Sequence, residues 1–144
     1  MKIAIFGAGQ LAMMMIEASS DLGHEFIVID PASRPPASEI AKHYMVGYND
    51  EEILKFVASE CDIATIDFEN VDIGALKYLE NHIKVSPPSN ALKICQDRLY
   101  EKELFTELGI NVTEYHSVDN INDIEDIVFC LLYTSPSPRD WLQS

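Results

Sequence analysis

The stretch "IFGAGQLAMMM", residues 5–15, closes an apolar run with two glycines one residue apart and then changes its period. Before it, "KIAIFGA" (2–8) is short, branched and apolar, the pattern of a strand buried in a parallel sheet. After it, Leu11, Met14, Met15, Ala18 and Leu22 recur at helical spacing, which predicts one face of a helix ending near Gly23. Gly7-Ala8-Gly9-Gln10-Leu11-Ala12 thus satisfies G-x-G-x-x-G/A between a strand and a helix. The free amides of such a helix start suit a phosphate or a carboxylate. Asp30 ends a second strand, "EFIVIDP", where a dinucleotide site would place its ribose-binding acid. Two plainer readings stand beside this one. A tight glycine turn also serves strand–helix packing, and Asp30 before Pro31 serves as a turn residue. The run Met13-Met14-Met15 reads as core filling.

Outward from that turn, strand and helix alternate. "ASRPPASEIAKHYMVGYND" is a proline-broken loop with room for a short helix and a minor strand. "NDEEILKFVASE" predicts a helix, with Asn49 and Glu52 spaced as a capping box. "DIATIDFE" is a third strand, "DIGALKYLENH" a helix, and "IKVSPP" a fourth strand stopped by two prolines. "SNALKICQDRLYEKELFTELG" reads as the longest helix, capped at Ser89 or Asn90 and closed at Gly109. "NVTEYHSV" is expected as a strand and "NINDIEDIVF" as the start of another helix. The alternation predicts an α/β fold with a mostly parallel sheet.

The bulk numbers narrow the function. The chain has 144 residues, 47% of them apolar and 24% charged, enough for one domain with a real core. A formal net charge of −14 argues against nucleic acid, whose partners carry a basic face. It leaves room for small phosphate ligands, which a few amides and cations hold. No apolar run is long enough to span a membrane and no signal peptide opens the chain, so the expectation is cytoplasmic. Cys61, Cys95 and Cys130 are far apart and read as reduced thiols. His24, His43, His82 and His116 lack metal-ligand spacing, so no metal site is expected.

Further residues carry more specific information. "DFENV" puts Glu69 and Asn70 at the carboxyl end of a strand, where α/β sheets bind ligands. "PPSNALKICQDRLYEK" puts Arg98 and Lys102 one helical turn apart. With the glycine turn, these motifs resemble the N-terminal part of the N5-carboxyaminoimidazole ribonucleotide synthetases. That family is also known as the ATPase subunit of phosphoribosylaminoimidazole carboxylase and belongs to the ATP-grasp superfamily. Its pattern runs roughly GGGQLGRM, LDP, YEFENV and P…AL…QDR..EK…GIP, and residues 1 to about 120 follow it in order. The departures are Ala8, Ala12, Met13 for arginine, and Ile66-Asp67 for Tyr-Glu.

The resemblance implies a Rossmann-like pre-ATP-grasp domain over 1–118, truncated before the ATP-grasp domain whose start would be 119–129. It implies an ATP-dependent ligase of purine biosynthesis that carboxylates 5-aminoimidazole ribonucleotide with bicarbonate. Gln10 and Leu11 would line the ribonucleotide site, Glu69 would accept hydrogen bonds from the ribonucleotide, and Arg98 would reach the ATP phosphates. Glu69 as a helix cap, and Arg98 in an ion pair with Glu101 or another acid, are the structural alternatives. The family's lid over ATP and its Mg2+ ligands would lie downstream, so this chain alone is expected to be inactive. A homodimer of the full-length protein fits the resemblance; the first domain of another ATP-grasp ligase, or a NAD(P)-binding Rossmann domain, is the alternative identity for the fold.

Past residue 130 the pattern changes. "CLLYTSPSPRDWLQS" has two Ser-Pro steps, the only tryptophan and no period. Cys130 to Asp140 resembles the conceptual translation of a transposon-end adapter used in sequencing libraries. Residues 130–144 are therefore expected to be foreign to the natural protein, which would continue past about Phe129. A genuine loop and tail is the alternative.

Overall fold

A computed structural model describes residues 1–113, 115–118 and 120–121. The expectations for a helix over 120–129 and for the adapter-like segment 130–144 lie outside the described residues, apart from Asn120 and Ile121. Two compact units divide the chain, Met1–Arg98 and a second beginning at Leu99.

In the first unit, five strands form one all-parallel sheet: β1 (Lys2–Phe6), β2 (Glu25–Ile29), β3 (Lys42–Tyr44), β4 (Ile63–Ile66) and β5 (Lys84–Val85). Their order is β3-β2-β1-β4-β5, so the glycine turn leaves the central strand between two neighbours. The α/β expectation holds. β1 pairs from Lys2 to Phe6 with Glu25 to Ile29, and from Ile3 to Phe6 with Ile63 to Ile66. The three carboxyl ends are therefore level. β3 is the minor strand of the proline-broken loop, whose short helix is a 3-10 turn at Pro36–Glu39.

Strand alternation sorts the core into two layers. Ala4, Phe6, Ile27 and Ile29 face α2 (Glu51–Glu60) and α3 (Ile73–Glu80), meeting Leu54, Val57, Leu76 and Leu79. Ile5 and Val28 face α1 (Gln10–Ala18), meeting Ala8, Ala12 and Ile16. This second layer corrects the expected helix face. Leu11, Met14 and Leu22 are 60%, 54% and 66% exposed, while Ala12 is fully buried. Small side chains at Ala8 and Ala12 let α1 press close to the sheet, and the bulkier stripe is turned outward. Gly23 ends this connection, after a 3-10 turn at Ser20–Leu22, with φ +67°, a conformation glycine adopts without a Cβ penalty.

The predicted longest helix is two helices. α4 (Ser89–Cys95) stops at Gln96, and α5 starts at Arg98 and runs to Glu107. Gln96 is held elsewhere: its Nε2 donates to the carbonyls of Glu69 at 2.7 Å and Val71 at 2.8 Å. Asp97, immediately before Arg98, is a residue type that favours helix starts. In the second unit α5 continues to Glu107, Gly109 turns the chain with φ +70°, and Lys102 Nζ donates to Thr113 Oγ1 at 2.9 Å. The described residues of 111–118 form no strand, contrary to expectation.

Candidate functional site at the carboxyl edge of the sheet

Residues following the ends of β1, β2 and β4 converge on one edge. Gly7 leaves β1 with φ +101°, and its amide donates to the Ile29 carbonyl at 2.8 Å. The next two amides are taken by side chains from the neighbouring strands. Ala8 N–H donates to Asp30 Oδ2 at 3.0 Å, and Gly9 N–H donates to Asp67 Oδ2 at 2.8 Å. Asp30 is fully engaged, since its Oδ1 accepts from the Ala32 amide at 2.8 Å and its Oδ2 from the Tyr48 hydroxyl at 3.2 Å. The turn-residue reading of Asp30 thus describes its bonds. Burial pushes the Tyr48 hydroxyl up to about 12, with Asp30 adding to the effect.

Asp67 lies deepest. A Cβ placed on Gly7 would overlap its carboxylate, and one on Gly9 would come within 3.0 Å of Oδ2. Its Oδ1 is buried without a hydrogen-bond partner among the described residues. Burial raises the Asp67 pKa above the ordinary carboxylate range; the Gly9 and Ala12 amides oppose that shift and Asp30 reinforces it.

Of the residues named from sequence, Leu11 and Glu69 share cavities with this carboxylate. Gln10 is the exposed first residue of α1. Leu11 shares an apolar cavity of about 410 Å³ with Met14, Met15, Ala18, Ile66 and Asp67. Glu69 lines a second, of about 300 Å³, with Asp67, Phe68, Pro87, Ala91 and Cys95. Leu11 and Glu69 therefore flank Asp67 along one edge. Glu69 does not cap the following helix. That role belongs to Asp72, whose Oδ1 accepts from the Ala75 amide at 2.8 Å, and the Glu69 side chain is exposed. Arg98 is the exposed first residue of α5, two positions beyond the Gln96 that grips the Glu69 carbonyl.

Sequence reasoning missed Asp67 and Gln96 as structural members of this edge. The signal for Asp67 was available: an acid closing the strand beside a glycine turn. Gln96 stands in the QDR motif, but its partners are 25 and 27 residues away, so the motif does not show what the side chain holds. Among the described residues no group of three or more His, Cys, Asp or Glu side chains could hold a metal ion. No described helix is long and apolar enough to cross a membrane.

Residues 1–96 match the model of the ribonucleotide synthetase preATP-grasp domain. The chain belongs to this family. N5-carboxyaminoimidazole ribonucleotide synthase from Pseudomonas aeruginosa is 34% identical over 125 residues, which cover 87% of this chain and 35% of that one. The Brucella melitensis enzyme of the same name is 37% identical over 119 residues, 82% of this chain and 33% of that one. Among solved structures, N5-carboxyaminoimidazole synthetase from Staphylococcus aureus complexed with ADP superposes with a TM-score of 0.82 at 32% identity. That superposition covers 89% of this chain and 35% of that one. The chain thus spans about a third of the length of the relatives it matches. In this preATP-grasp domain the glycine turn is closed by the chain's own side chains.

Proposed function

We propose that this chain is the preATP-grasp portion of an ATP-dependent ligase that carboxylates 5-aminoimidazole ribonucleotide with bicarbonate, in the cytoplasm. The observation that carries the reading is the exposed Glu69 carboxylate beside the glycine turn, in a chain matching relatives that bear this enzyme's name. A strand-end carboxylate is an acceptor for the amine or ribose hydroxyls of a ribonucleotide. Gln10 and Leu11, at the start of α1, would form the other wall. Arg98 would hold ATP phosphates through its planar, always-charged fork. The ADP in the Staphylococcus aureus relative supports a nucleotide role for the family. Magnesium, which would clamp the transferred phosphoryl group, would find its ligands in sequence beyond this chain. A homodimer of the full-length protein belongs to the same reading.

The test uses the full-length protein. Glu69→Gln is nearly isosteric, so its melting temperature should stay within a degree or two while its use of aminoimidazole ribonucleotide weakens more than its use of ATP. Equal effects on both Michaelis constants would remove Glu69 from the ribonucleotide site. Arg98→Ala should weaken ATP use by roughly 10- to 100-fold, since a charge-assisted hydrogen bond is worth about 1.5–3 kcal/mol. Arg98→Lys should recover only part of that loss. An unchanged ATP constant in the alanine variant would leave Arg98 as a surface ion-pairing residue, worth about 0–1 kcal/mol in stability alone.

A further inference from the structure

The glycine turn has the right form to receive an external anion, yet both side-chain-bonded amides end on carboxylates of the chain itself. We propose that Asp67 is a built-in occupant of the turn's anion seat, excluding phosphate groups from it and fixing the start of α1 against the end of β4. Three observations carry this. The Gly9 amide, which a pyrophosphate would otherwise engage, donates to Asp67 Oδ2 at 2.8 Å. The space above Gly7, which glycine turns keep free for close approach, is filled by the Asp67 carboxylate. Asp67 Oδ1 is buried there without a hydrogen-bond partner among the described residues, so the carboxylate carries a desolvation cost that the Gly9 and Ala12 amides offset only in part.

The consequence is a division of labour along the edge. Asp67 seals the turn, and Glu69, two residues on, is left exposed to meet a ligand. Asp67 is a positioning residue: it acts through Gly9 on where Gln10 and Leu11 stand. It also determines specificity in the negative sense, because a second anion cannot enter a seat already holding a carboxylate with Asp30 beside it. The titratable groups facing Asp67 are Asp30, at the end of β2, and Tyr48, in the loop after β3. Burial raises the proton affinity of Asp67, and the Asp30 charge adds to it. This inference concerns the chain's own turn and stands or falls independently of the ligase reading.

Chemical rescue tests it on the 144-residue chain. Asp67→Ala empties the seat, so the variant should melt below the wild type. Formate should then raise its melting temperature by about 6–11 °C at ten times its dissociation constant. The wild type should move by less than about 1 °C in formate against chloride of equal ionic strength. Equal formate responses in both, or none in the variant, would overturn the proposal. A second measurement needs only the wild type and covers the case in which the variant does not fold. In a nuclear magnetic resonance pH titration, the Gly9 amide proton should follow the Asp67 carboxyl carbon through one shared midpoint above the ordinary carboxylate range. A Gly9 amide indifferent to that titration contradicts the assignment, as does saturable movement of the Ala8 and Gly9 amides on adding inorganic pyrophosphate.

Discussion

The starts of α2 and α3 differ from the starts of α1 and α4 in where their caps come from. Asp50 and Asp72 cap their own helices, accepting from the amides of Ile53 at 2.9 Å and Ala75 at 2.8 Å. α1 has no side-chain cap of its own, and the amides of Ala8 and Gly9 that lead into it reach to Asp30 and Asp67, 22 and 58 residues away. α4 begins after Pro88, also without a local cap, and Glu80 takes both the amide and the hydroxyl of Ser89 at 2.6 Å each. A local cap closes a helix and does nothing else. A cap borrowed from a distant strand or helix also fixes where that helix begins relative to the sheet. The borrowed caps stand at two of the elements that frame the candidate site.

The sharpest way to break this contrast is at Gly7. A side chain there meets two costs together, a positive φ and the Asp67 carboxylate in the same space. The φ strain is about 1–3 kcal/mol, and leaving the Gly9 amide without its acceptor adds about 1–3 kcal/mol. Gly7→Ala should therefore remove a large part of a stability that is itself about 5–15 kcal/mol. Urea unfolding measures it. A loss below about 1 kcal/mol would show that the turn is not closed over Asp67 as described.

The local caps should matter less and more independently. Asp72→Ala or Asp50→Ala should each cost about 1 kcal/mol, or roughly 4–8 °C in melting temperature for a domain of this size. Their double variant should show the sum, because each cap serves a separate helix. A sum exceeded by more than about 0.5 kcal/mol would mean that the two helix starts are coupled.

The same contrast explains what the sequence disclosed. β1, β2, β4 and β5 were legible because each is a short apolar run stopped by glycine, proline or an acid. α2 was legible too, though its cap is Asp50 and not Asn49, a shift of one residue within a local motif. The site was half visible. Glu69 and the glycine turn carried local patterns, while the bond that joins them to one edge runs from Gly9 to Asp67 and leaves no periodic trace. The break between α4 and α5 was missed for that reason, since Gln96 is held by carbonyls far away in sequence. The face of α1 was misread because periodicity weighs large apolar residues, whereas close packing on a sheet selects small ones, here Ala8 and Ala12.

The smallest effect should come from Glu80, and its sign sharpens the comparison of the two borrowed caps. Hydrogen bonds from the Ser89 hydroxyl and amide hold the Glu80 carboxyl below its usual 4.5. A depressed folded pKa contributes stability above the unfolded value, lost as the pH falls through the folded one. Asp67 has the opposite sign, because its burial outweighs its amide bonds. A raised folded pKa contributes stability below the usual 3.8, lost as the pH rises through the folded value. Glu80→Gln should accordingly melt slightly below the wild type at neutral pH and approach it in acid, below both Glu80 values. The Asp67 contribution should remain, falling as the pH rises through its raised value. Thermal melting of both proteins across the acid range reads the difference. A constant gap at every pH would mean that Glu80 acts through shape alone, and a gap that widens in acid would reverse the assigned role of the Ser89 bonds.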